Sequence, residues 1–442
     1  MSEQNTPIQK LNILPSLPEV FNSVSVPDTK NFFRKAFAFF GPGLMVAVGY
    51  MDPGNWATDI AGGSRYGYTL LSVILFSNFF AILLQYLSLK LGIVAERDLA
   101  QACRSYYSRP VSLALFIFAE IAIIACDLAE VLGAAIALNL LFGMPYWLGV
   151  LITVLDVFLV LYLQSKAFRY LEAFTGALIA VIFLCFGYEI FMTQPVWRDV
   201  FSALAPKREI ISNPEMFYIA IGILGATVMP HNLYLHSSIV QTRQYERTTE
   251  GKRKAILFAS IDSTAALVLA FFVNAFILIL AASAFHKNGY QNINDITQAF
   301  HLLDPILGTT SISSILFAVA LLAAGQNSTL TGTLSGQIVM EGFLDLKMAP
   351  WLRRLLTRLL AVLPALFFVL WRGEKGTSDL LVLSQVVLSM QLSFAVIPLV
   401  LFTNDKNKMG TFANSFVMKI SAWSVAGIIV VLNCYLLWVM IF

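Results

Sequence analysis

Met51-Asp52-Pro53-Gly54-Asn55 and, farther along, Met229-Pro230-His231-Asn232 interrupt two long apolar runs, and the reading of the chain turns on these two interruptions. Proline has no N–H to donate, and its ring clashes with the carbonyl four residues earlier, here that of Gly49 or Ala226. Neither run can continue as one regular helix. Outward from them, apolar stretches fall near 37–62, 67–95, 111–142, 147–164, 171–193, 216–240, 256–285, 312–343, 355–371, 380–403 and 415–441. About 20 apolar residues carry a helix across a bilayer, so these are eleven candidate spans. The second, third, seventh and eighth exceed what a bilayer needs, which predicts tilt or extension beyond it. Composition agrees: 58% of the 442 residues are apolar, only 12% are charged, and the mean hydropathy is +0.75. An ordinary soluble domain is about 45–50% apolar and about 25% charged. A string of soluble domains, a disordered chain, a coiled coil and a disulfide scaffold are all excluded. The sequence is that of an all-α polytopic membrane protein.

Residues 1–35 are polar, contain Pro15, Pro18 and Pro27, and lack a signal peptide's charged-then-apolar layout. They are expected to be a mobile cytoplasmic tail ahead of a transmembrane domain at 36–442. Cysteines 103, 126, 185 and 434 have no metal-like spacing and read as packing residues without redox chemistry. The net charge is +3, and its distribution sets the orientation. With the N-terminus inside, 22 of the 29 lysines and arginines fall on the cytoplasmic side, including the cluster Arg243, Arg247, Lys252, Arg253 and Lys254. The opposite topology inverts that bias. An inside N-terminus and an outside C-terminus are expected.

The two breaks occur in the first spans of two five-span halves, about 37–193 and 216–403, with an extra helix at about 415–441. An odd number of spans per half gives the halves opposite orientations. Corresponding interrupted helices in two halves are the best sequence pointer to a transporter's midplane site. Backbone freed at membrane depth is tolerated where it lines a cavity. A pair of proline kinks without a ligand is the plainer alternative, but polar side chains flank both prolines.

Asp52 and Asn55 are three residues apart and can point into one cavity. An ionisable group at the bilayer centre is a functional hypothesis by default, and the one other charge within twelve residues of Asp52 is Asp59. A cation would satisfy it. Met229 offers a thioether and Ala226 a freed carbonyl. Oxygen ligands alone suit hard cations such as Mg²⁺ or Ca²⁺, whereas sulfur favours softer transition metals. Gln385, an amide in an apolar run, adds an oxygen or else bonds another helix.

In the third span, Glu120, Asp127 and Glu130 occupy one stripe about 80° wide at 100° per residue. Three acids on one face cannot face lipid and suggest a proton relay. Arg353 and Arg354 before the ninth span are plausible counter-charges, or plain positive-inside anchors. His231 and His236 can carry protons or satisfy backbone groups, and His231, beside the break, is the stronger candidate.

The two broken-span motifs resemble the paired signatures of the Nramp family of proton-coupled divalent-metal transporters. Gly325-Gln326-Asn327-Ser328-Thr329-Leu330-Thr331-Gly332, running on to Gly336-Gln337 and Met340-Glu341-Gly342-Phe343, resembles that family's long signature around span 8. The resemblance spans about 37–440. It implies the LeuT-type fold, an inverted repeat of five and five helices plus an eleventh, with helices 1 and 6 unwound at the midplane. It implies that Asp52, Asn55, Met229 and the Ala226 carbonyl bind metal, with Gln385 joining in some states. It also puts Asp52, His231, Glu120, Asp127, Glu130, Arg353 and Arg354 on or near a proton route. The function it implies is proton-coupled import of Mn²⁺ and Fe²⁺ by alternating access across a bacterial inner membrane. The short tails look bacterial, and the glycosylation-like Asn327-Ser328-Thr329 lies inside a span. Metal and proton are cargo, so no cofactor, nucleic acid or obligate protein partner is expected, only the lipid bilayer. Two rivals share the architecture, a Mg²⁺ transporter and a sodium-coupled amino-acid transporter. Met229 disfavours the first; Asp52 and Met229 disfavour the second. An intramembrane enzyme is the remaining alternative, but no HExxH motif appears and Ser237 beside His236 is a weak nucleophile pair.

Overall fold

The computed structural model describes residues 16–17, 24–27, 31–155, 158–159, 162–163, 168–291, 293, 295–345, 350–372 and 377–441. Among these residues the regular secondary structure is helical apart from β1 (Val24–Ser25) and β2 (Arg243–Gln244), which pair in parallel. The first five spans are built from α1 (Phe32–Phe39), α2 (Pro42–Gly49), α3 (Pro53–Tyr66), α4 (Leu71–Ala95), the short α5 (Leu99–Tyr106), α6 (Arg109–Phe142), α7 (Tyr146–Ile152) and α8 (Phe168–Thr193). The second half comprises α9 (Pro214–Thr227), α10 (Pro230–Ile239), α11 (Thr249–Leu280), the short outer α12 (Ile296–Leu307), α13 (Ile312–Leu344), α14 (Pro350–Arg372) and α15 (Thr377–Asn404), followed by α16 (Phe416–Ile441).

Eight helical runs among the described residues are long and apolar enough to cross a membrane. The first, 53–95, joins the second half of span 1 to span 2 through Gly67, whose φ of 59° only glycine adopts cheaply. Spans 4 and 9 contribute shorter apolar helices, Tyr146–Leu155 and Arg358–Trp371, and the first half of span 1 meets α1 at a 45° bend. With those divisions each of the eleven apolar stretches has its helix. Large apolar side chains left exposed, among them Phe191, Leu184, Leu363 and Phe367, are what spans present to lipid.

Both breaks fall where the prolines put them. Span 1 stops at Gly49 and resumes at Pro53, with Tyr50 and Met51 donating to the Ala47 and Val48 carbonyls to tighten the last turn. Span 6 stops at Thr227, leaves Val228 out of helical geometry and Met229 extended, and resumes at Pro230. Each proline is the first residue of a new helix, where its missing N–H costs nothing.

Only part of the expected tail falls among the described residues. Residues 1–15, 18–23 and 28–30 lie outside the described residues, but Ser16 and Leu17 are buried, and Ser16 Oγ donates to Asp98 Oδ2 at 2.5 Å. Parts of this segment are docked because Leu17 is apolar and Ser16 meets a buried acceptor. Sequence composition averages over a stretch and hides two such residues.

At the start of span 1, Asp262 of α11 receives the N–H groups of Gly41 and Gly43 (3.2 and 2.7 Å). Gly41 has φ +139°, and a Cβ there would lie 2.5 Å from a Glu172 oxygen. Arg243 pairs with Glu172 at 2.6 Å and donates to the carbonyls of Ala38 and Phe40, while Arg169 pairs with Glu172 at 3.1 Å. These bonds hold the entry of span 1 against spans 5 and 7.

Candidate functional site

Asp52 is the N-cap of α3. Its Oδ1 accepts the Asn55 N–H at 2.8 Å, the usual use of an aspartate at a helix start, and its Oδ2 is buried with no partner. Asn55 Nδ2 donates to the Tyr50 carbonyl at 3.0 Å, and Asn274 of α11 donates to the same carbonyl at 2.8 Å. With its amide nitrogen so engaged, Asn55 Oδ1 is left buried and unpaired. Gln385 repeats the pattern: Nε2 donates to Ser384 Oγ at 3.1 Å, and Oε1 is buried without a partner. Opposite, Pro230 cannot donate to the Ala226 carbonyl, and the Met229 side chain is wholly buried.

Close backbone approach brings these groups together. Gly54 abuts the Gln385 side chain, so that a Cβ would collide with it, and Gly225 packs on the backbone of Gln385 and on Ser389. Gln385 thus sits between the two breaks. Gly49 similarly meets the Asn232 amide, and Gly133 of α6 meets the Pro53 ring. Asp52, Asn55, Ala226, Met229 and Gln385 are each no more than 1% exposed, so the whole group is buried.

An anionic oxygen, two neutral amide oxygens, a carbonyl and a thioether form a mixed donor set. Leaving buried acceptors unpaired is expensive, and one species that satisfies acceptors without needing acceptors itself is a cation. Among the described residues no group of three or more His, Cys, Asp or Glu side chains is arranged to hold a metal. The set carries one formal charge, which suits an ion that must leave again better than a resident one.

The acid stripe of α6 faces protein. Asp127 and Glu130 are buried, and a Cβ on Gly332 of α13 would lie 2.5 Å from Asp127 Oδ1 and 2.9 Å from Glu130 Oε1. Glu120 is partly exposed, with a buried, unpartnered Oε1. The buried cation beside the stripe is Arg358, whose Nη1 is 3.7 Å from Glu130 Oε2 and whose Nη2 donates to Thr329 Oγ1 at 3.2 Å. The side chains of Arg353 and Arg354 lie outside the described residues. Arg358 is one helical turn beyond Arg354 on the same face, and its clue in the sequence was that spacing.

His231 stands beside the second break, with Nε2 3.8 Å from Cys126 Sγ and Nδ1 unpaired. His236 belongs to a different chain of bonds: its Nδ1 lies 2.9 Å from Gln85 Oε1, and Gln85 Nε2 donates to the Tyr50 hydroxyl at 2.8 Å. Tyr50, Gln85, Asn274 and Thr227, whose buried Oγ1 is unpaired, were not anticipated. Gln85 and Asn274 carried a readable signal, an amide in an apolar run. Tyr50 and Thr227 carried none.

The family model described as natural resistance-associated macrophage protein-like (Nramp) matches residues 43–439. A protein of Listeria innocua named divalent metal cation transporter MntH is 61% identical over 429 residues, covering 97% of this chain and 96% of its own. The crystal structure of the Eremococcus coleocola manganese transporter, in complex with an aromatic bis-isothiourea substituted compound, superposes with a TM-score of 0.88 at 41% identity, covering 95% of this chain and 90% of that one. MhsT in complex with L-phenylalanine shares the fold at a TM-score of 0.63 and 14% identity, covering 90% of this chain and 98% of that one.

Proposed function

The chain belongs to the Nramp family, and from that premise we propose that it imports divalent transition metals, Mn²⁺ and with it Fe²⁺, by proton-coupled alternating access. It is a transporter and not an enzyme, and a multi-pass membrane protein. The observation that carries the reading is the donor set at the paired breaks: unpaired Asp52 Oδ2, Asn55 Oδ1 and Gln385 Oε1 with the Met229 thioether and the Ala226 carbonyl.

Asp52 supplies the charge that makes a divalent ion welcome at the midplane. Asn55 and Gln385 present oxygens because their nitrogens are engaged elsewhere. Met229 gives the site its preference for soft over hard ions. A Mg²⁺ carrier would gain little from a thioether, since Mg²⁺ prefers oxygen and retains its waters. An amino-acid carrier would meet a buried carboxylate where its substrate's own carboxylate must sit.

Protons that accompany the metal need acceptors. Glu120, Asp127 and Glu130 line a helix that packs against the first break through Gly133, and Arg358 offers a counter-charge. Arg353 and Arg354 belong to the same proposed route, on the family resemblance. Residues 37–193 and 216–403 serve as the two inverted halves that rock about the site, with the N-terminus cytoplasmic in a bacterial inner membrane. The Arg243–Glu172–Arg169 bonds then close the inward path and must part for release.

Metal uptake into proteoliposomes with a pH dye trapped inside tests this. The wild type should take up Mn²⁺ and acidify the lumen, and Asp52→Ala should lose both. Uptake without acidification would remove the coupling; no uptake of any divalent metal would remove the reading.

A further inference from the structure

Of the four cysteines, Cys126 has surroundings that a packing role does not account for. It is 1% exposed, on the stripe of α6 between Ala122 and Glu130. Its Sγ donates toward Glu130 Oε1 at 3.5 Å and lies 3.8 Å from His231 Nε2. The same side chain packs in a four-residue cluster with Met229, Ala122 and Leu388. Leu388 is one turn beyond Gln385 on α15, and Met229 is the residue at the second break. The thiol therefore lies in the wall that carries the thioether. Two buried polar atoms nearby have no partner, Asp52 Oδ2 and His231 Nδ1. The titratable and charged groups around the thiol are Asp127 and Glu130 on its own helix, Asp52 at the first break, His231 on α10 and, beyond Glu130, Arg358 on α14.

We propose that Cys126 is a specificity-determining residue of the cargo site, its sulfur giving a passing thiophilic divalent cation such as Cd²⁺ a second soft contact beside Met229. This deepens the metal-transport reading and rests on it. Soft ions gain more from sulfur than Mn²⁺ does, because polarisable lone pairs match a polarisable ion. One sulfur biases such a site; two on the same wall bias it further. The bonds to His231 and Glu130 fix the direction in which the Cys126 sulfur points.

The test uses the full-length protein, purified for calorimetry and reconstituted for competition uptake. Cys126→Ser exchanges sulfur for oxygen yet keeps a donor and an acceptor for Glu130 and His231, and Cys126→Ala removes both. Both variants should weaken Cd²⁺ about fivefold more than they weaken Mn²⁺. Met229→Ala combined with Cys126→Ser should lose more Cd²⁺ preference than either change alone. An unaltered Cd²⁺-to-Mn²⁺ ratio in Cys126→Ser overturns the proposal, including the case where Cys126→Ala alone shifts the ratio, since hydrogen bonding rather than softness would then be at work. Failure of the wild type to bind either metal would overturn the transport reading itself, before Cys126 enters.

Discussion

At the scale of single residues, the site depends on which atom of each polar group is already engaged. Asn55 and Gln385 act as oxygen donors only because Tyr50 and Ser384 take their nitrogens. Met229 has no such partner, and on the proposed reading its sulfur biases the site toward softer ions. Met229→Ala should weaken Cd²⁺ transport more than Mn²⁺ transport and relax the exclusion of Mg²⁺ and Ca²⁺, because what remains is a harder oxygen site. Competition uptake measures this, and unchanged Cd²⁺-to-Ca²⁺ discrimination would remove Met229 from the ligand set. The α6 acids call for a different outcome. Asp127→Asn and Glu130→Gln should leave Mn²⁺ affinity roughly intact by calorimetry while reducing proton entry read with a trapped dye. Parallel loss of both, or of neither, would make the stripe structural, with Arg358 merely neutralising it.

At the scale of elements, helix ends carry the design. Asp52 caps α3 with one oxygen and leaves the other buried without a partner, so a single side chain both starts a helix and, on the proposed reading, meets cargo. Asp98 does comparable double duty outside the membrane. It forms a capping box with Gln101 at the start of α5 and accepts the Ser16 hydroxyl, and burial pushes its carboxyl up to about 6 from 3.8 despite those donors. A carboxyl raised in the folded state binds its proton more tightly there than in the unfolded chain. Its contribution is complete below the ordinary value and is lost as the pH rises toward and through about 6. The change is at most about 3 kcal/mol. Thermal unfolding between pH 4 and 7 should therefore decline with pH more steeply for the wild type than for Asp98→Asn, which keeps an acceptor for the Gln101 N–H. Equal slopes would mean that Asp98 titrates normally.

At the scale of the whole molecule, two five-span halves, each broken at its first helix, bury the residues of both breaks between them. α6 touches both breaks, through Gly133 on Pro53 and through Cys126 on His231, which puts the acid stripe beside the proposed metal site. An odd number of spans in each half requires opposite orientations, and the excess of basic residues on one face predicts an N-terminus on the cytoplasmic side. In a Cys434→Ser background, which removes the exposed native thiol, a cysteine in the 244–254 loop should react only from the cytoplasmic side. One placed after residue 441 should react only from outside. The reverse labelling would break both the charge argument and the inverted repeat.

The sequence alone determined the class, the eleven spans, the two breaks and the residues beside them. Those features are local: proline acts on the carbonyl four residues back, about 20 apolar residues span a bilayer, and an acid at midplane needs a reason to be there. Only the tertiary structure decided which partners occupy Asn55 and Gln385. It also made Arg358 the buried counter-charge, buried Ser16 against Asp98, and set Cys126 beside Met229 and His231. Each of these depends on contacts between residues tens to hundreds of positions apart. Such contacts are set by how helices cross and where glycines let backbones meet, and no local pattern in a single chain encodes that geometry.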